Sequence, residues 1–152
     1  MKAVYIEAQG GPEVLTYGDR PEPEAQAGEV KIRVKATALN RLDLYTRAGG
    51  RGLDREFPPP LILGGDCAGE VAECGEGVNT LKLGDRVVVN PRISCMQCGP
   101  CLAGNDDLCR SESFLGSAID GSYAEYVSVP AVNAHLLADS VSFEQAAAAP
   151  TT

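Results

Sequence analysis

The sequence predicts a mainly β fold, a barrel or a sandwich. Three observations carry that prediction. Val30 to Ala36 alternates apolar and basic side chains, the period-two pattern of a half-buried strand. Other β-type runs recur along the chain, separated by glycine and proline. The 17 glycines and 10 prolines among 152 residues supply the many tight turns that such a fold needs.

The elements follow in order. Lys2 to Ala8 and Val14 to Tyr17 read as a first hairpin, with Gly10-Gly11-Pro12 as its turn. Val30 to Ala36 is the next strand. Asn40-Arg41-Leu42-Asp43 has the form of a helix start, with Asn40 as cap and Asp43 at the third position. That helix is predicted to run to about Ala48 and stop at Gly49-Gly50. Pro58-Pro59-Pro60 reads as a stiff exposed spacer. Asp66 to Cys74 and Arg86 to Asn90 are further strands, set apart by Gly75, Gly77 and Gly84. Ser122 to Val129 is another, ended by Pro130, and Val132 to Leu137 is a short one. Ser142-Phe143-Glu144-Gln145 starts a second helix that Ala146 to Ala149 favour and Pro150 ends.

Composition narrows the function classes. Apolar residues make up 44% and charged residues 22%, ordinary globular usage. The net charge of −8 argues against non-specific binding to nucleic acid or anionic membrane. No apolar run approaches the roughly 20 residues of a bilayer span. The opening Met1 to Glu7 has too short an apolar stretch for a signal peptide. Six cysteines in such a chain predict a reducing, cytoplasmic compartment, where clustered thiols bind metal more often than they pair. His135 is the one histidine, so no site can draw on two.

Cys95, Cys98, Cys101 and Cys109 carry the strongest chemical signal, with the spacing Cys-x2-Cys-x2-Cys-x7-Cys. Zinc takes four thiolates in a tetrahedron, and a Cys-x2-Cys step lets one tight turn offer two sulfurs to one ion. Gly99, Pro100 and Gly104 supply the turns. Four thiolates leave no open coordination position, so the predicted zinc is structural, one per chain. Its binding energy, about 10–16 kcal/mol in zinc-finger peptides, becomes folding energy for the lobe at about residues 91–112. The competing reading is free or disulfide-linked thiols. An iron–sulfur cluster is disfavoured, because the bacterial ferredoxin run needs a different spacing and a proline. Cys67 and Cys74 read as small apolar core residues.

These residues carry a resemblance. The chain resembles the N-terminal, GroES-like domain of the medium-chain dehydrogenase/reductases, the superfamily of zinc alcohol dehydrogenases and quinone oxidoreductases. Met1-Lys2-Ala3-Val4 with Gly10 to Leu15 is similar to the quinone-reductase branch. Gly64-x-Asp66-x2-Gly69-x5-Gly75-x2-Val78 follows the family's glycine signature, and the four cysteines have the spacing of its structural zinc site. Leu83 to Val87 and Gly121 to Tyr126 are further family segments. The implied fold is a partly open β-barrel with a few short helices and a protruding zinc lobe.

The departures from the family pattern shape the functional expectation. The positions of the three catalytic zinc ligands hold Asn40, Gly65 and, near the end, Thr151; the hydroxyl of the proton relay is replaced by Leu42. Glycine and leucine cannot ligate zinc and Asn is a poor ligand for it, so no catalytic zinc is expected. Asn40, Asp43 and Tyr45 instead resemble the zinc-free quinone and enone reductases, which pass hydride from NAD(P)H to a carbonyl-bearing acceptor. The resemblance gives Asn40 a hydrogen bond to that carbonyl, Tyr45 a place against the acceptor ring or a proton-donor role, and Asp66 a carboxylate at the site. Asn40 and Asp43 are equally accounted for as a helix cap, Tyr45 as core and Asp66 as a turn carboxylate.

The family binds its dinucleotide in a following Rossmann domain, marked by Gly-x-Gly-x-x-Gly. Gly50-Arg51-Gly52 has Arg55 at the third glycine position, and Gly75-Glu76-Gly77 has Thr80. The expectation is one GroES-like domain over 1–152, without the cofactor domain, that alone binds no nicotinamide and turns over nothing. The competing expectations are an alcohol dehydrogenase half-domain and a stand-alone zinc-stabilised binding module, with a homodimer possible in each case.

Overall fold

The computed structural model describes residues 1–49 and 59–151. Gly50-Arg51-Gly52 and Pro58 of the proline run lie outside the described residues. Among the described residues, ten strands and three short α-helices follow one another as β1 (Lys2–Ile6), β2 (Thr16–Asp19), β3 (Glu29–Thr37), α1 (Arg41–Ala48), β4 (Leu61–Ile62), β5 (Cys67–Cys74), β6 (Arg86–Val89), β7 (Arg92–Ile93), α2 (Gly99–Leu102), β8 (Ser113–Phe114), β9 (Tyr126–Pro130), β10 (Ala134–Leu136) and α3 (Phe143–Ala147). All strand pairs are antiparallel. They form a five-stranded sheet β10-β6-β5-β3-β9, a three-stranded sheet β2-β1-β4 and a ribbon β7-β8.

The alternation in β3 does what the sequence implies. Val30 and Ile32 are fully buried, while Lys31 and Arg33 point outward, over the ring of Tyr126. Val71, Val87, Val89, Leu115, Val127 and Val129 complete this core. Register shifts between β3 and β5 at Lys31/Ile32 and Val34/Ala36 bend the sheet into a curled half-barrel. Gly69 sits in that bend because a Cβ there would come within 2.1 Å of the Arg33 carbonyl. Cys67 belongs to the core and Cys74 packs against it. α3 closes one side, with Ala146 and Ala147 against Ala68.

Some sequence expectations shift. Ser122 to Glu125 leaves the strand expected over 122–129. Gly121 and Tyr123 donate to the Ile62 and Leu63 carbonyls, and Val4 donates to Tyr123, so this segment bridges the two sheets instead of lengthening β9. Pro12 to Val14 forms a single 3-10 turn, and the second strand of the hairpin starts at Thr16. Ala131 to Asn133 is likewise a 3-10 turn ahead of β10. The two-residue strands β4, β7 and β8 are too short to leave a period in the sequence.

Replacing fully buried Ile32 by alanine leaves a cavity at the centre of β3. Ile32→Ala is expected to cost about 2–5 kcal/mol, read as a lower urea midpoint at unchanged slope.

Candidate functional site

The cysteine lobe grows from the β7-β8 ribbon and α2. The four sulfurs lie within 4.8 Å of one another. Cys98 Sγ and Cys101 Sγ are 3.4 Å apart, and Cys95 Sγ and Cys101 Sγ are 3.9 Å apart. A tetrahedron with zinc–sulfur bonds of about 2.3 Å has edges of about 3.8 Å, so the cluster fits a zinc ion. Met96 holds φ at 55°, a left-handed conformation uncommon outside glycine. The turn it makes aims the Cys98 N–H at Cys95 Sγ, at 3.4 Å, and the Cys95 N–H points at Cys109 Sγ, also at 3.4 Å. Donors from Gln97 and Cys98 pull the Cys95 thiol down to about 6. Burial and the neighbouring thiols push Cys101 up to about 12. Zinc would hold all four as thiolates and release the protons they carry.

The second constellation is built around the start of α1. Asn40 caps the helix, its Oδ1 accepting from the Leu42 N–H at 3.1 Å, while Asp43 Oδ2 accepts from the Asn40 N–H at 2.8 Å. The Asn40 amide nitrogen turns the other way. It donates to Asp66 Oδ2 at 3.3 Å and to the Thr151 carbonyl at 3.4 Å. The Thr151 hydroxyl donates to Asp66 Oδ1. Asp66 is 3% exposed, whereas Thr151 is on the surface. The chain thus brings Asn40, Asp66 and Thr151 together, with Gly65 beside them. A Cβ on Gly65 would come 3.0 Å from the Phe114 ring and 3.6 Å from Pro91, so a side chain there has to displace the ring. Tyr45 sits half-buried further along α1, its carbonyl capped by the Gly49 N–H. His135 is exposed on β10, opposite Val88.

Asp43 lies beneath this site, 6% exposed. Burial raises its pKa, and donors from the Asn40 N–H, the Tyr123 hydroxyl and the Gly65 N–H oppose that shift. The Tyr123 hydroxyl donates at 2.8 Å. Burial and the Asp43 carboxylate hold that phenol well above its ordinary range, so it stays a donor. The Tyr123 ring lies against Gly64, whose φ of 98° and lack of a Cβ permit the contact: a Cβ would be 2.3 Å from the ring. Ser122 Oγ lies 2.9 Å from Thr37 Oγ1 and 3.2 Å from the Gly64 carbonyl. The sequence places Ser122 and Tyr123 in a strand and in a family segment, and gives neither a role at the site. Two hydroxyl residues after a glycine were the available signal of a polar tie beneath the site.

Two predictions follow from this geometry. Cys98→Ser is expected to strip hydrogen-exchange protection from about Met96 to Arg110 while leaving the half-barrel protected; uniform loss would contradict it. Tyr123→Phe removes one of the donors on Asp43, at a cost of about 1.5–3 kcal/mol when that group is charged. The native pKa of Asp43 lies above its unfolded value, near 3.8, so its contribution to stability falls as pH rises from there through the native pKa. Tyr123→Phe raises the native pKa further. Its destabilisation, read by denaturant titration, should therefore be larger at neutral pH than at pH 3.8 or below.

Comparison with known proteins places this geometry. Residues 26–139 match the family model described as the alcohol dehydrogenase GroES-like domain. Over 131 residues, 86% of this chain, it is 37% identical to L-threonine 3-dehydrogenase of Francisella tularensis subsp. tularensis, of which it covers 37%. A crystal structure of an NAD-dependent alcohol dehydrogenase superposes with a TM-score of 0.92 at 45% identity, over 99% of this chain and 43% of that one. A cobalt- and zinc-bound thermostable alcohol dehydrogenase from Pyrobaculum aerophilum superposes with a TM-score of 0.88 at 36% identity, over 99% of this chain and 44% of that one. The chain thus spans about two-fifths of the length of these relatives. It belongs to the alcohol dehydrogenase GroES-like domain family, homologous to the N-terminal domain of the zinc-type medium-chain dehydrogenase/reductases.

Proposed function

We propose that this chain is the substrate-binding half of an NAD(P)H-dependent oxidoreductase of the quinone and enone reductase kind, with one structural zinc and no catalytic zinc. One observation carries the reading. Among the described residues, only Cys95, Cys98, Cys101 and Cys109 gather three or more metal-ligating side chains. The Asn40–Gly65–Asp66–Thr151 site offers one carboxylate, no thiol and no imidazole. The four cysteines hold the structural zinc.

The substrate in this reading is a small molecule with a polarised carbonyl. The Asn40 amide nitrogen is the group to polarise it: its two bonds, to Asp66 and to the Thr151 carbonyl, are long and readily exchanged for a substrate oxygen. Asp43 fixes Asn40 from below. Tyr45 bounds the acceptor from α1. When bound, the nicotinamide supplies the hydride. In this reading Gly75, just after β5, belongs to a packed turn, where a Cβ would be 1.8 Å from the Gln26 carbonyl, and not to a phosphate-binding loop. Cofactor binding therefore falls to a separate Rossmann domain, and this chain alone is expected to be inactive.

A second reading, an alcohol dehydrogenase half-domain, is favoured by the names of the relatives. Zinc counting separates the two. Native mass spectrometry of the full-length protein is expected to show one zinc per chain, lost in Cys98→Ser. A second zinc that survives Cys98→Ser would overturn the zinc-free reading. In the full-length protein, Asn40→Ala is expected to lower kcat by about 10²-fold or more. Unchanged turnover would remove Asn40 from the site.

A further inference from the structure

We infer that Cys98 and Cys101 form a peroxide-oxidisable dithiol, and that joining them makes the cysteine lobe release its zinc. The inference rests on the reading of the four cysteines as a structural zinc site and gives two of them a chemistry of their own.

The four sulfurs are not equivalent. Cys98 Sγ donates to Cys101 Sγ at 3.4 Å, whereas Cys95 Sγ and Cys101 Sγ are 3.9 Å apart. Cys95 Sγ and Cys109 Sγ each accept a backbone N–H at 3.4 Å, which holds both in the fold of the lobe. Local structure sets up the pair. Cys98 is the N-cap of α2, Gly99 and Pro100 follow, and Cys101 lies in the same first turn. Residues three apart on a helical turn are neighbours on one face. A sulfur–sulfur bond of about 2.0 Å needs about 1.4 Å of further approach.

Access is unequal as well. Cys101 is 8% exposed, and Cys98 is half-buried. Beside Cys98, Gln97 and Gly99 are exposed, and a Cβ on Gly99 would meet nothing within 4 Å. The surface at Cys98 is therefore open to a small oxidant, while Cys101 is sheltered. An accessible thiolate poised next to a resolving one is the arrangement that a reversible dithiol needs.

Hydrogen peroxide supplies the two-electron oxidation. The Cys98 thiolate attacks one peroxide oxygen; an S–O bond forms, the O–O bond breaks and hydroxide leaves, which gives a sulfenic acid. The Cys101 thiolate then attacks that sulfur; the S–S bond forms, the S–O bond breaks and a second hydroxide leaves. Two thiolates and one peroxide become one disulfide and two hydroxides. The joined sulfurs carry no charge, and about 2.0 Å between them is far short of the edge of about 3.8 Å in a zinc–thiolate tetrahedron. Cys95 and Cys109 alone are too few ligands for a closed structural site.

The test uses the full-length, zinc-loaded protein and hydrogen peroxide, quenched with acid at low conversion. A colorimetric chelator follows zinc release. Free thiols are blocked with N-ethylmaleimide, the disulfide is reduced and labelled with iodoacetamide, and the tryptic peptide Ile93–Arg110 is sequenced by tandem mass spectrometry. The expected result is one zinc released per disulfide formed, with iodoacetamide on Cys98 and Cys101 and N-ethylmaleimide on Cys95 and Cys109. Dithiothreitol with added zinc should restore the starting zinc content. Iodoacetamide on Cys95 or Cys109, zinc kept after Cys98 and Cys101 have joined, or zinc lost with all four thiols free overturns the inference. So does a lobe that peroxide leaves reduced. Absence of zinc from the untreated, reduced protein overturns the structural-zinc reading, and this inference with it.

Discussion

A buried carboxylate demands partners, and in this domain that demand organises the site. Asp43 is nearly sealed from water, and an ionised carboxylate there is costly unless donors surround it. The donors come from three separated stretches: the start of α1, the Gly64–Asp66 turn and the bridge at Tyr123. Each stretch gives Asp43 one donor. Asn40 is held as cap, Gly65 is drawn beneath the site, and Tyr123 is laid across Gly64. Asp66, the next residue, then has its carboxylate placed against Asn40 and Thr151. The arrangement at the surface is a consequence of the polar tie below it.

The zinc lobe is organised by a different economy. Its backbone has little apolar core of its own, since Met96, Leu102 and Leu108 are largely exposed. The left-handed turn at Met96 and the N–H groups aimed at the sulfurs arrange four thiols at tetrahedral spacing. A zinc ion there would convert that convergence from repulsion among thiolates into the lobe's cohesion. Arg92, through the Asp107 carbonyl and Glu112, ties the ends of the lobe together.

Much of this was legible in the sequence because it is local. The cap at Asn40 with Asp43 at the third position, the Ser142 cap, the alternation in β3 and the cysteine spacing each lie within a few residues, and each has its expected structure. What was not legible is what depends on distant partners. Ser122 to Glu125 has a strand-like composition, yet it pairs with β1 and with residues 62 and 63 because Gly121 must fit against the Leu63 and Gly64 backbone. Asp43 read as a cap; its second role, as the acceptor for Tyr123, spans 80 residues and leaves no local pattern. Thr151 was aligned to the site only through family resemblance, and its bond to Asp66 spans 85 residues.

That separation carries a consequence for synthesis. A chain leaves the ribosome from its N-terminus, and contacts form in the order in which both partners emerge. The four cysteines lie between residues 95 and 109, so the lobe could capture a zinc ion while the last 43 of the 152 residues are still to come. The Asn40 amide waits through 111 residues for its contact with Thr151. Until then Asp66 lacks the hydroxyl that covers it. The cysteine cluster is therefore complete in the nascent chain before the contact of Asn40 and Asp66 with Thr151, which is among the last parts of these 152 residues to close.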